Sequence, residues 1–488
     1  MIPSRTFTAV DELGNSIKTS LNCGQRLGLI SSIDGHQLIT LMLDLQTGTA
    51  QLLESALTGS TYPSLTLTLP QCHWFERALS DLFAITPLGH PRLKPAILNE
   101  AYTGIAHPLA AENSVQTHAD FSYLEVEGDG IYELGVGPVH AGIIEPGHFR
   151  LSCLGESVVN LELRLGYLHR GVESRLTEIP WQKARFVAEA AASDTAVANA
   201  LAHAIAIESI QGIEPPDRAQ YLRTIALEIE RLAMHIADIG GMSVDLGAAS
   251  MAATFGRLRG MALRLADLLS GSRFLRGFIC PGGITKHNDS LLAELHRTCR
   301  QLRQEILPIL ETFREDPAVY DRLHGTGYLS ASLAKEFGTV GVSARASNVP
   351  YDARLSFPHA TYPKVKLNLA LQTDGDALSR LLIRMEEVST SFDLIDEHLQ
   401  GLPSGPIIAA VPQELAKDSV GLGIVEAFRG ELIHLILTDD RGKIRRYVIK
   451  DPSVNNWTAL AIAVRQNMVQ DFPVCNKSFS LSYSGHDL

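Results

Sequence analysis

The chain has 488 residues, of which 45% are hydrophobic and 20% are charged, a composition typical of a globular protein with two or more domains. Its formal net charge of −12 argues against nucleic acid as the main partner, because phosphate binding needs a basic surface. The first residues form no apolar leader and no run of about 18 or more apolar residues occurs, so we expect neither a signal peptide nor a membrane span.

Residues 1–115 are predicted to form a small α/β domain. HQLITLMLDL (36–45) and SLTLTL (64–69) favour strands by their leucine and β-branched content, and the polar segment between them favours turns. In WFERALSDLFAI (74–85), apolar residues recur at helical spacing. The proline-broken run TPLGHPRLKPAIL (86–98) is predicted to be an extended arm.

A strand-like, glycine-containing segment over 116–150 carries several titratable groups close together. In GPVHAGIIEPGHFRL (137–151), His140 and His148 flank a Pro-Gly corner, and the whole stretch is predicted to form a hairpin. The simplest interpretation of the two histidines is that they hydrogen-bond to loop carbonyls. Glu145 is expected to be an exposed residue of the turn.

Long core helices of a bundle are predicted from about residue 156 onward, because apolar residues recur at i, i+3, i+4 and i+7. The segments with this pattern are 157–176, 185–212, 218–247, 251–272 and 376–402. A hairpin is predicted over 423–450, turning at Asp440-Arg441-Gly442, with a last helix over 455–470 and an irregular tail after it. The predicted fold class is α+β, with a small N-terminal α/β domain (1–115) and a domain dominated by a long-helix bundle (116–488).

Several long motifs resemble one family, the large subunit of the group 4, energy-converting [NiFe] hydrogenases and its relative, the 49 kDa-type subunit of respiratory complex I. The motifs are GPVHAGIIEPGHFRL, GESVVNLELRLGYLHRGVESRL, LEIERLAMHIADIG, RFLRGFICPGGI, GTVGVSARASNVPYDARLSFPHATY, LPSGPI and VEAFRGELIHLIL. WFERALSDLFAITPLGHPRLKPAIL is similar to the 30 kDa-type subunit of complex I. The two parts are fused here, as in the formate hydrogenlyase large subunit.

The resemblance implies that the nickel-binding cysteines are missing from this chain. Hydrogenases of the family hold nickel with two C-x-x-C pairs, and the matching positions are Ala192, Thr195, Ser482 and Gly485. Alanine and glycine offer no donor atom, and hydroxyls are poor ligands for metals that prefer thiolates. None of the six cysteines forms a C-x-x-C pair, so we expect no iron–sulfur cluster in this chain and no cofactor of its own.

The complex I relatives instead carry a quinone pocket, faced by a histidine of the hairpin and a tyrosine. His148 is close to that histidine position, whereas the tyrosine position falls near Ser193. We predict catalytic roles in proton transfer for His140, His148 and Asp194, with burial raising the pKa of Asp194. The alternative for Asp194 is a structural carboxylate bonded to an amide or an arginine.

Five further residues are predicted to contact a cofactor in the region that lines the family's active site. They are His169, Arg170, Arg345, Asp352 and Arg354. His169 can pair with Glu173 at i,i+4, and an arginine–carboxylate pair holding the 345–354 loop is the simpler alternative for the other three. Asn348 stands where the family has glycine, and asparagine tolerates the positive φ that such a turn needs. Glu230, Arg231 and His235 are interpreted as core architecture.

These patterns predict a subunit of a membrane-associated oxidoreductase that takes electrons from an iron–sulfur small subunit and passes them to quinone or another acceptor. No nucleotide-binding glycine motif occurs, so NADH would bind another subunit. Antiporter-like and complex I-type membrane subunits are the other expected partners, on the cytoplasmic side of the inner membrane. A non-catalytic scaffold is the alternative, and a working [NiFe] hydrogenase is disfavoured by the missing cysteines.

Overall fold

The computed structural model describes residues 1–98, 106–110, 121–140 and 144–488. The strands are β1 (Ser4–Phe7), β2 (Arg26–Ser32), β3 (Gln37–Asp44), β4 (Thr49–Ala56), β5 (Thr61–Pro63), β6 (Thr86–Leu88), β7 (Ile131–Val136), β8 (His148–Leu154), β9 (Ser157–Arg164), β10 (Ile279–Cys280), β11 (Gly283–Ile284), β12 (Val420–Ala427), β13 (Gly430–Thr438) and β14 (Ile444–Lys450). The helices are α1 (Leu13–Asn22), α2 (His73–Phe83), α3 (Val172–Glu178), α4 (Trp181–Ala188), α5 (Ala196–Gln211), α6 (Asp217–Asp245), α7 (Ala249–Ser270), α8 (Leu292–Arg314), α9 (Pro317–Leu323), α10 (Ala331–Glu336), α11 (Gly341–Ala346), α12 (Ala353–Ser356), α13 (Ala377–Gln400), α14 (Pro452–Ala463), α15 (Phe472–Phe479) and α16 (Tyr483–His486). Within these described ranges, no helix is both long enough and apolar enough to cross a membrane.

The N-terminal unit is built on a four-stranded sheet in the order β1-β4-β3-β2. β3 confirms the strand predicted at 36–45, and α2 confirms the helix predicted at 74–85. The predicted turn region between the two expected strands contains β4, which pairs antiparallel along the whole of β3. The predicted domain boundary at residue 115 lies outside the described residues and stays a prediction.

The strand predicted at 64–69 is wrong, and the reason is a buried carboxylate. Glu76 on α2 accepts hydrogen bonds from the amides of Leu65 (2.8 Å) and Thr66 (3.1 Å). These bonds turn the backbone towards α2 instead of leaving it free to pair with a neighbouring strand.

The middle of the chain forms a three-stranded antiparallel sheet in the order β7-β8-β9, which begins with the predicted hairpin. The long helix predicted at 157–176 is wrong, because residues 157–164 are strand β9 and only α3 is helical. Short apolar runs fit both periods, so the pattern alone did not separate strand from helix. The helix predicted at 185–212 is interrupted between Ala188 and Ala196, where it becomes α4 and α5.

Long helices α5, α6, α7, α8 and α13 form the bundle, and their apolar faces share one large core. The predictions for α6, α7 and α13 are confirmed. Strands β12, β13 and β14 form an antiparallel sheet, and α5 packs against β12 and β13. The other face of this sheet joins the core of the N-terminal unit. The α+β architecture is therefore as predicted.

The chain does not end in the irregular tail that its sequence predicts. After the expected helix α14, residues 472–486 form the short helices α15 and α16, and most of their side chains are buried. Ser482 begins α16 by accepting a hydrogen bond from the amide of Gly485 at 2.9 Å, as a serine N-cap does.

Candidate functional site

The four positions predicted to match nickel ligands lie on two segments, 189–195 and 480–487, which we call the clamped segments. The Arg170 guanidinium joins them, because it donates to the carbonyl oxygens of Ala190 (2.7 Å), Ala191 (2.7 Å) and Ser484 (3.0 Å). A planar fork of donors can bridge three carbonyls at once in a way that a lysine cannot. Two parts of the chain that are distant in sequence are thereby fixed side by side.

Arg429 makes a second bridge between the clamped segments. Its two terminal nitrogens lie 2.8 and 2.6 Å from the carboxylate oxygens of Asp194, and its Nε donates to the carbonyl of Ser480. Burial opposes ionisation of Asp194, but the Arg429 guanidinium outweighs it and holds the pKa of this carboxyl below its ordinary value. The predicted rise in the pKa of Asp194 is therefore wrong, and the ion-paired alternative describes it.

A carboxylate with no counterpart among the predicted site residues, that of Asp451, lies against the C-terminal clamped segment. A Cβ atom added to Gly485 would lie 2.6 Å from Cγ of Asp451 and 3.0 Å from Oγ of Ser482. Asp451 is buried and caps α14 by accepting the amide of Ser453 at 2.8 Å. No side chain larger than hydrogen fits at position 485 unless Asp451 moves.

The residues present do not fit a nickel–iron centre. Ala192, Thr195, Ser482 and Gly485 supply no thiolate, the ligand that such a centre needs. Across the described part of the chain, no group of three or more histidine, cysteine, aspartate or glutamate side chains converges as a metal site would require.

The hairpin places both predicted histidines beside backbone carbonyls. Nε2 of His140 lies 2.8 Å from the Gly147 oxygen, and Nδ1 of His148 lies 3.2 Å from the Gly137 oxygen. Both rings are half-buried, so part of each ring is accessible to solvent. Their hydrogen bonds agree with the simpler interpretation, and their catalytic role stays a prediction. Ser193, near the family's tyrosine position, is exposed.

Glu145 is not the exposed turn residue that we expected. Its carboxylate accepts the amides of Tyr483 and Ser484, each at 3.0 Å, at the first turn of α16. The hairpin is thus bonded to the C-terminal clamped segment, and Arg170 holds the same segment from another direction.

His169 and Arg170 line a cavity of about 610 Å³ where the N-terminal unit meets α3, β14 and the end of the chain. Apolar side chains such as Trp74 and Leu79 form much of its wall. The predicted pairing of His169 with Glu173 is wrong. Nδ1 of His169 lies 2.9 Å from the Asp487 carbonyl oxygen, and Glu173 binds Arg446 at 2.7 Å. The volume of this cavity is in the range of small-molecule sites.

The other three predicted cofactor contacts lie in a buried ion network. Its members are Arg231, Arg345, Arg354, Glu228, Asp352, Glu387 and Glu426, all of them buried. Arg345 lies 2.8 Å from Glu426, and Arg354 lies 2.7 Å from Asp352. Arg345, Asp352 and Arg354 are ion-paired within this network, and their contact with a cofactor stays a prediction. The ion pairs agree with the simpler alternative for this loop.

Two neighbouring predictions agree with the structure. Asn348 adopts a φ of +58°, the left-handed conformation expected where the family has glycine. Glu230, Arg231 and His235 are buried on α6, as predicted for core residues. Glu230 accepts the amides of Val197 (2.7 Å) and Ala198 (3.0 Å) and so caps α5 from a different helix.

Comparison with known proteins identifies the family. Residues 245–422 match the family described as respiratory-chain NADH dehydrogenase, 49 Kd subunit, and residues 7–119 match the corresponding 30 Kd subunit. The carbon monoxide-induced hydrogenase of Rhodospirillum rubrum is 32% identical, over 70% of this chain and 95% of that protein. The chain belongs to this family of complex I and hydrogenase subunits. The domain that matches the smaller of the two subunits is fused ahead of the part that matches the larger one.

Other members of the family match most of the chain. Formate hydrogenlyase subunit 5 of Escherichia coli (strain K12) is 29% identical over 93% of this chain and 82% of its own length. A solved chain of the membrane-bound sulfane sulfur reductase (MBS), an archaeal respiratory membrane complex, is 27% identical with a TM-score of 0.69, covering 74% of this chain and 99% of that one. Membership places the chain among oxidoreductase subunits.

Proposed function

We propose that this chain is the electron-transferring subunit of a complex I-like or hydrogenase-like oxidoreductase that works without a [NiFe] centre. It receives electrons from an iron–sulfur cluster in a small subunit and passes them to quinone or another acceptor, with proton uptake. The names of its relatives support more than one acceptor, since they include hydrogenases, NADH-quinone oxidoreductases and a sulfane sulfur reductase.

The observation that carries the proposal is that hydrogen bonds of side chains other than thiolates join the clamped segments. Asp451 occupies the space next to Gly485, and Arg170 and Arg429 join the clamped segments that thiolates and metal would otherwise join. The hydrogen bonds of these arginines to carbonyls and to a carboxylate hold the two segments together, as a bound metal would. No step of the proposed reaction passes through nickel.

Proton uptake is assigned to His140 and His148, whose half-buried rings lie on the hairpin next to the clamped segments. Asp194 is removed from this role, because its pair with Arg429 keeps it ionised near neutral pH. The acceptor is proposed to use the cavity beside His169 and Arg170, whose volume of about 610 Å³ is in the range of small-molecule sites.

Partner subunits are expected to cover exposed apolar residues near the clamped segments. Val139 on the hairpin is 84% exposed and Phe186 on α4 is 51% exposed. Apolar side chains left in water around an inherited site favour a protein interface. We propose that a small subunit docks here, and that the complex attaches to the cytoplasmic side of the inner membrane through antiporter-like and complex I-type membrane subunits.

The test is quinone-dependent turnover by the purified complex. His148→Ala is expected to lower turnover at least tenfold, a typical loss when a proton-transferring group is removed. His36→Ala, at an exposed position in the N-terminal unit, is the matched control and should leave turnover unchanged. Turnover that persists in His148→Ala and in the His140→Ala/His148→Ala double variant would contradict the catalytic assignment.

A scaffold role is the second candidate, and the clamped segments are the observation that favours it. A site that is closed by its own arginines can transmit conformational change between partners without binding a substrate. Under this alternative, the double histidine variant keeps full turnover in the complex, whereas Arg429→Met disrupts assembly with the small subunit.

A further inference from the structure

A second group of ionisable residues lies next to the turn of the β12–β13 hairpin, which carries Arg429. Glu426 on β12 and Glu431 on β13 are register partners, and both are completely buried. Residues directly opposite in an antiparallel pair point to the same face, with Cβ atoms about 5 Å apart. Two carboxylates therefore face each other in the interior, where repulsion between like charges is little screened.

The two glutamates are not equally compensated. Glu431 binds Lys450 at 2.6 Å, accepts the hydroxyl of Tyr351, and lies 3.7 Å from Nε of Arg26. Burial opposes its ionisation, but Lys450 and Arg26 hold the pKa of Glu431 below its ordinary value. Glu431 is thus the ionised member of the pair.

Glu426 has to share its cation. It accepts from Arg345 at 2.8 Å and from the amide of Ala353 at 2.9 Å, but Arg345 also binds Glu387 and lies 3.4 Å from Asp352. One guanidinium serves three carboxylates. Burial, with the Asp352 carboxylate nearby, raises the pKa of Glu426 to about 7.

The charged groups around the pair come from every element packed against it. They are Arg26 from β2, Glu228, Arg231 and His235 from α6, Arg345, Tyr351, Asp352 and Arg354 from the 341–356 region, Glu387 from α13, and Lys450 from β14. Burial keeps His235 neutral by lowering its pKa. Glu431 has two cations close to it, whereas Glu426 shares one arginine with two other carboxylates. We therefore expect the proton to bind Glu426.

We propose that the facing pair Glu426 and Glu431 is a one-proton binding site, occupied on Glu426, next to the turn of the hairpin that carries Arg429. This turn packs closely on the start of α11, because a Cβ added to Gly341 would lie 2.6 Å from Cα of Gly430. The site belongs to the chain itself and does not depend on the proposed acceptor.

Infrared titration of the purified full-length chain tests the proposal through the C=O band of protonated carboxyl groups. The wild-type chain should show a buried carboxyl that loses its proton near neutral pH. Glu426→Gln, which keeps the shape and a carbonyl acceptor for Ala353, should abolish that component. Glu431→Gln should shift its midpoint down by roughly one pH unit or more, because the facing charge is removed.

Glu230→Gln is the matched control, because Glu230 is a second buried carboxyl whose pKa burial raises to about 8. It should remove a different component and leave the Glu426 component in place. The proposal would be overturned if the component assigned to Glu426 survived in Glu426→Gln, if it kept its wild-type midpoint in Glu431→Gln, or if the wild type lacked it. Neither result touches the turnover test of the proposed function.

A variant outside the pair keeps the test decisive if Glu426→Gln does not fold. Arg26 donates to the Gly338 carbonyl and lies over the Tyr351 ring, so Arg26→Met removes one cation and leaves both glutamates in place. The midpoint should rise by roughly half to one pH unit. An unchanged midpoint in a folded Arg26→Met chain would contradict the proposed site.

Discussion

The clamped segments and the buried ion network both concentrate arginines and carboxylates, but their arginines bind different partners. Arg170 donates to backbone carbonyls, whereas Arg429 donates to the Asp194 carboxylate and the Ser480 carbonyl, and each joins segments that are distant in sequence. In the network, Arg345 and Arg354 bind carboxylates and are sealed from solvent. An arginine bonded to carbonyls can position a chain segment, whereas the terminal nitrogens of Arg345 and Arg354 are bound to carboxylates within the network.

The difference between the two regions shows that charged residues near an inherited active site do not by themselves indicate ligand binding. Functional residues are predicted from the sequence in both regions, but only the clamped segments hold the positions predicted to match nickel ligands. The network stabilises the junction of the bundle, the 345–354 loop and the sheet. The predictions below change one region at a time.

The largest effect is expected from Arg345→Met in the buried ion network. The substitution leaves Glu387, Glu426 and Asp352 without their shared cation, and breaking a buried pair typically costs about 3–5 kcal/mol. Urea unfolding followed by circular dichroism measures the loss. Arg300→Met, which removes an exposed pair with Asp396, is the control and should cost less than about 1 kcal/mol. Equal losses in the two variants would contradict the comparison.

The next largest effect is expected from Gly485→Cys in the clamped segments. The new Cβ would lie 2.6 Å from Cγ of Asp451, and overpacking of this kind costs about 1–3 kcal/mol. The double variant Gly485→Cys/Asp451→Ser should regain most of the lost stability, because serine keeps the N-cap and frees the space. Ser484→Cys is the control. A Gly485→Cys chain as stable as wild type would show that position 485 is open.

Asp194→Asn should cost about 1–2 kcal/mol, since a partly exposed bidentate pair with Arg429 is weakened. The folded-state pKa of Asp194 lies below its ordinary value of 3.8, so the stabilisation is present above that pH and is lost as the pH falls through the folded pKa. Unfolding midpoints measured from pH 7 downward should therefore differ between the two chains at neutral pH and converge in acid. A difference between the two unfolding midpoints that grows as the pH falls would contradict this prediction.

The smallest effect is expected from Arg170→Lys, which keeps the charge but cannot bridge three carbonyls. Amide hydrogen exchange across 482–487 should become roughly tenfold faster, equivalent to about 1.4 kcal/mol. Amides of α13, which carries Glu387 of the network, serve as the internal control and should keep their rates. Unchanged exchange in 482–487 would show that Arg170 does not hold the C-terminal segment.

Much of the fold was predictable because it follows from long periodic patterns. The bundle helices α6, α7 and α13 each repeat apolar residues over more than twenty positions, and the pattern leaves no alternative. The sequence of strand β9 predicts a helix incorrectly, because its short apolar run fits the helical period as well as the strand period. The strand expected at 64–69 was prevented by bonds to Glu76, a tertiary contact that no local pattern contains.

The candidate site was predictable in its positions but not in its contacts. The positions of Ala192 and Gly485 come from the family motifs, and so does the hairpin with His140 and His148. Asp451 was missed, although Asp-Pro-Ser is a typical helix start and marks a carboxylate at an N-cap. That this carboxylate lies against Gly485 follows only from the packing of α14 on α16. Burial raises the pKa of Glu426 and Glu230, whereas Arg429 outweighs burial at Asp194 and lowers its pKa.

Nickel content of the purified complex tests the central claim most directly. Cells grown with added nickel supply the complex, and elemental analysis gives the ratio of nickel to this chain after size-exclusion chromatography. The account predicts far less than one nickel per chain, since Asp451 fills the space beside Gly485 and no thiolate faces it. One tightly held nickel per chain, lost on substituting residues of the clamped segments, would contradict it.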